Sequence, residues 1–85
     1  MNDSSNIKVA RHLVELAADG TQDTTVRAVT EATNIHSTQV GDFLRMWTAI
    51  GWFTKKRMGH HGFVFTFTKT GLSNLQKLIE RHDCG

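Results

Sequence analysis

The sequence holds one cysteine, Cys84, and no proline. A lone thiol makes no internal disulfide and no cysteine-rich metal site, so the expected setting is a reducing, cytoplasmic one. Without a basic pair nearby, that thiol is no redox sensor. No stretch approaches the roughly 18 apolar residues of a membrane span, and MNDSSNIK has neither the basic start nor the apolar run of a secretory signal. GxxxxGK, HExxH and GxSxG are absent. With 85 residues there is little chain to wall a catalytic pocket, so the expectation is a non-enzyme with no cofactor and no metal. His60 and His61 are adjacent, but no further ligands stand at metal-site spacing.

Acid is also missing where base is dense. Residues 51–69 contain Lys55, Lys56, Arg57 and Lys69 and no Asp or Glu, whereas residues 1–50 carry a net charge of −2. His60 and His61 add to the cationic segment on protonation. Such a patch on a nearly neutral body suits a polyanion. It equally suits a solvated hairpin whose lysines keep a sheet edge soluble.

What is present is organised as one domain over residues 6–82, with a disordered start at 1–5 and a frayed tail at 83–85. Ile7, Ala10, Leu13, Val14 and Ala17 follow a helical repeat that stops at Asp19-Gly20. A polar connection over 21–25 has room for a short strand. The next helix spans 26–33, with Val26, Val29 and Ala32 inward. Asn34 suits a left-handed turn. Ser37 is the expected N-cap of a third helix carrying the stripe Val40, Leu44, Trp47 and Ile50, and Gly51 closes it. Two antiparallel strands follow, over 52–58 and 63–68, joined by a Gly59–Gly62 turn. A last helix from residue 69 or 70 turns Leu72, Leu75, Leu78 and Ile79 inward. Trp47, Trp52, Phe53, Phe63, Phe65 and Phe67 are needed for so small a core, which leaves few aromatics for base stacking.

Helix, helix, turn, helix, hairpin is the order of a helix-turn-helix followed by a wing. TVRAVTEATNIHSTQVGDFLRMWTAIGWF followed by KKRMGHHGFVFTFTKTG resembles the winged helix-turn-helix family of small DNA-binding transcriptional regulators. Leu44, Trp47, Gly51, Trp52 and Phe53 match the family's close of the recognition helix, and Phe65, Phe67, Thr68 and Gly71 its exit from the wing. The resemblance implies an α+β, mostly α fold: a three-helix core, a two-stranded β-hairpin wing and a C-terminal helix. It implies that helix 37–50 enters the major groove of double-stranded DNA and that the wing, 55–62, lies on the backbone or in the minor groove.

On that resemblance the base-contact candidates are Ser37, Thr38, Gln39, Asp42 and Arg45. Gln39 suits adenine, and Arg45 suits guanine or a phosphate. The backbone candidates are Lys55, Lys56, Arg57, His60 and His61. Gly41 either admits close approach of a partner or serves helix packing. Asp42 departs from the family, because a carboxylate repels phosphate unless it accepts from a cytosine amino group. Phe43 and Met46 fall off the core stripe and are candidates for a protein interface, with Phe43 alternatively packed on the first helix or the wing. Three functions stay open: a sequence-specific duplex-DNA regulator, with a homodimer or protein partner possible and no membrane; a protein-interaction adaptor; and an RNA-binding winged helix.

Overall fold

The computed structural model describes residues 4–59 and 62–84. Four helices, α1 (Ser5–Ala18), α2 (Val26–Thr33), α3 (Ser37–Ala49) and α4 (Lys69–Cys84), frame a sheet of β1 (Asp23–Thr24), β2 (Phe53–Arg57) and β3 (Phe63–Phe67). The sheet is antiparallel in the order β1-β3-β2, so the connection before α2 widens the hairpin to three strands. Asp23 pairs with Thr66 and Thr24 with Phe65. This pairing covers the outer edge of β3, which would otherwise present unpaired backbone groups.

Local chemistry sets the helix-turn-helix. Thr25 caps α2, its Oγ1 accepting from the Ala28 N–H at 3.1 Å. Asn34 ends that helix in the left-handed region, φ 59°, and its N–H donates to the Thr30 carbonyl at 2.9 Å. The cap of α3 is His36 rather than Ser37. The backbone at His36 is extended, and its Nδ1 accepts from the Thr38 N–H at 3.1 Å, which leaves Ser37 as the first helical residue.

Gly51, at φ 86°, closes α3 with two bonds of a Schellman cap. Its N–H donates to the Thr48 carbonyl at 3.1 Å, and the Trp52 N–H donates to the Trp47 carbonyl at 2.8 Å. That cap lays the Trp52 ring on Trp47, centroids 5.9 Å apart. Because the chain reverses there, Ile50 falls outside the stripe and is 56 % exposed. Val40, Leu44 and Trp47 are the buried residues by which α3 enters the core.

The core joins these to Val9, Ala10 and Leu13 of α1, Val29 of α2, Ile35 of the turn, Phe53 and Phe65 of the sheet, and Leu75 of α4. Ala32 is exposed, so α2 contributes Val29 with Val26 half-buried. Phe63 is 46 % exposed and stands outside the expected aromatic core, because it lies at the far end of β3 beyond the helices. Helix α1 begins at Ser5, and α4 runs through Cys84, past the expected end at 82. An Asp83–Arg11 ion pair ties that last turn to α1.

Helix α4 approaches β2 more closely than any side chain would allow. A Cβ at Gly71 would lie 1.9 Å from the Trp52 carbonyl oxygen. Thr68 fixes this junction: its hydroxyl lies 3.0 Å from the carbonyls of both Gly51 and Trp52 and accepts from the Gly71 N–H at 2.9 Å.

Candidate functional site

Helix α3 presents Ser37, Gly41 and Arg45 on one line, one turn apart. Across from them the hairpin presents Lys55, Gly62 and Phe63, and the two sets line a single open groove of about 870 Å³. Helix α2 forms its third side with Arg27, Thr30 and Glu31, among others. Ser37, Gly41 and Arg45 of α3 and Lys55 of the hairpin therefore face one concavity, which Val26, Phe63 and Phe65 also line, while Lys56 and Arg57 stand outside it.

The charges in this groove are organised by pairs. Arg27 Nε donates to Glu31 Oε1 at 3.1 Å on α2. Arg45 donates twice, through its terminal nitrogen to Asp42 Oδ1 at 2.6 Å and through Nε to the Gly41 carbonyl at 3.3 Å. Lys55 Nζ sits 4.5 Å from the centre of the Phe63 ring, a cation–π contact on the hairpin. Gly41 has no packing neighbour: a Cβ there would meet only the Arg45 side chain, at 3.9 Å. Of its two sequence readings, helix packing is overturned.

The strand register divides the basic cluster. Lys55 opposes Phe65 and Arg57 opposes Phe63, so these two cations share the sheet face of the aromatic residues. Lys56 opposes Val64 and points to the other face. Lys56 and Arg57 are exposed and form no ion pair with another described residue.

Of the residues singled out from sequence, Ser37, Arg45 and Lys55 come together in the groove. Thr38, Gln39 and Asp42 are exposed on α3 but do not line the groove, and Gln39, two residues from both Ser37 and Gly41, is turned to the far side of the helix. His60 and His61 lie outside the described residues. Phe43 is half-buried and stacks on Trp47 of its own helix, centroids 5.9 Å apart, rather than standing free. Met46 is 51 % exposed. Sequence reasoning missed Arg27, Thr30 and Glu31; the signal for Arg27 and Glu31 was their place opposite the inward Val29 on a short amphipathic helix, and none marked the half-buried Thr30. Among the described residues no group of His, Cys, Asp and Glu is arranged to hold a metal ion, and no helix is long and apolar enough to cross a membrane.

No protein-family model matches the chain, and no curated protein matches it in sequence. Solved structures do. AF1382 from Archaeoglobus fulgidus superposes with a TM-score of 0.75 at 11 % identity, over 99 % of this chain and 90 % of that one. TubR bound to 24 bp of tubC, from Bacillus thuringiensis serovar israelensis pBtoxis, superposes with a TM-score of 0.59 at 15 % identity, over 96 % of this chain and 99 % of that one. Identity this low speaks to architecture alone. The chain has an α+β winged helix-turn-helix fold, with α2 and α3 as the helix pair and β2–β3 as the wing.

Proposed function

We propose that the protein is a sequence-specific double-stranded DNA-binding protein acting as a small transcriptional regulator. The single observation that carries this reading is the shared groove, in which Ser37, Gly41 and Arg45 of α3 face Lys55 and Phe63 of the wing. A duplex would place α3 in its major groove, with the wing along the adjacent sugar–phosphate backbone. Ser37, Thr38, Gln39 and Arg45 would meet base edges, and Lys55, Lys56 and Arg57 the phosphates. Support also comes from TubR, a protein of this fold whose structure contains 24 bp of tubC.

A salt titration on random duplex DNA tests the reading. The protein should be retained at low salt and eluted as salt rises, because each neutralised phosphate contributes about −0.9 to the log–log slope. Lys56→Ala with Arg57→Ala should flatten that slope by about 2. Failure of the wild-type protein to bind duplex DNA at low salt refutes it.

One observation favours a second reading, a protein-interaction adaptor. Met46 of α3 and Ile50 just past its end are 51 % and 56 % exposed, and Phe43 on the same helix is half-buried. Loss of duplex binding together with retained folding in Lys56→Ala/Arg57→Ala, but not in Met46→Ser/Ile50→Ser, decides for DNA.

A further inference from the structure

We propose that Asp42 is a positioning residue that sets the base specificity of α3 by aiming Arg45 at a guanine edge and away from the phosphates; this rests on the duplex-binding reading above. A carboxylate on a face meant for a polyanion is otherwise a liability, since it repels phosphate wherever it stands. Here it does not stand alone. Its Oδ1 accepts from the terminal nitrogen of Arg45 at 2.6 Å, while Arg45 Nε donates to the Gly41 carbonyl at 3.3 Å. The two acceptors take different donors of the same planar group, so they fix its orientation as well as its place.

Both side chains are about two-thirds exposed, 64 % and 62 %, so the pair adds little to folding stability. Its effect is on binding. An unheld arginine loses rotamer freedom when it docks, and one already held loses less. The guanidinium has five N–H donors, and the two contacts leave enough for a bidentate bond to guanine O6 and N7. The carboxylate also biases the choice of ligand. A guanine edge is neutral and tolerates Asp42 nearby, whereas a phosphate at the same guanidinium would meet its negative charge. Arg45 lines the groove beside Gly41, where the missing side chain gives a base edge room to approach.

This assigns Asp42 a role distinct from a direct contact to cytosine, and the two are separable. Duplexes are selected from a random pool with the full chain, with Asp42→Asn, with Arg45→Ala and with the double variant; affinity for the best and a scrambled duplex is then followed against salt. Expected is loss of preference at the same G·C pair in both single variants, by about tenfold, with the double variant no worse. Asp42→Asn should bind the scrambled duplex more tightly and with a slope steeper by about 1, as the freed Arg45 takes a phosphate, whereas Arg45→Ala should bind it more weakly. The proposal is overturned if Asp42→Asn keeps the wild-type preference and slope, or if the two single variants lose preference at different base pairs. Absence of binding by every protein, wild type included, sinks the duplex reading itself and this proposal with it.

Discussion

The same substitution, glycine to alanine, should have opposite effects on stability in two helices of this protein. Gly71→Ala places a methyl group 1.9 Å from the Trp52 carbonyl oxygen and 2.6 Å from its carbon. Both obstacles are backbone, so α4 or the start of β2 must move by more than 1 Å to restore ordinary contact. That movement strains the bond from the Thr68 N–H to the Trp52 carbonyl, 3.3 Å, and the Thr68 hydroxyl's contact with the same oxygen, 3.0 Å. Overpacking of this kind costs about 1–3 kcal/mol. Each weakened hydrogen bond adds about 1 kcal/mol, and alanine's better helix propensity returns about 1 kcal/mol. The net is a loss of about 2–4 kcal/mol, against a total of about 4–13 kcal/mol for a domain of this length. Thermal unfolding followed by circular dichroism should show Tm lowered by about 10–30 °C. Gly41→Ala meets nothing closer than 3.9 Å. It should raise stability by up to about 1 kcal/mol while weakening duplex binding. A Gly71→Ala protein melting within a few degrees of the wild type would refute the argument that close backbone approach fixes this glycine.

Other substitutions separate the remaining roles. Trp47→Ala removes the ring on which Phe43, Trp52 and Phe53 all stack, and should cost about 3–5 kcal/mol in denaturant titration. Thr68→Val keeps the shape but removes the α4 cap and both carbonyl contacts, for an expected loss of about 1–2 kcal/mol in the same assay. Asn34→Ala retains the left-handed turn at a cost of about 1 kcal/mol, and Asn34→Gly should be near neutral, both read by thermal melting. Gln39→Ala should relax discrimination among duplexes by about 1–3 kcal/mol, whereas Lys56→Ala should weaken all of them alike in parallel binding titrations.

The sequence by itself determined what short-range physics controls. Apolar spacing placed α2 at its observed bounds, the stripe through Val40, Leu44 and Trp47 oriented α3, and Asn34 and Gly51 marked the turns, because each signal needs only the residue and its near neighbours. It failed where a neighbour distant in the chain decides. Ile50 continued the stripe on paper but is released to solvent by the reversal at Gly51, and Phe63 alternated correctly yet lies beyond the helices that bury Phe65. The addition of β1 to the sheet, the closeness of Gly71 to Trp52 and the third wall that α2 gives the groove are likewise products of packing. So is the meeting of α3 with the wing: periodicity fixes which face of an element is apolar, while only the docking of elements on a common core fixes which polar faces end up side by side.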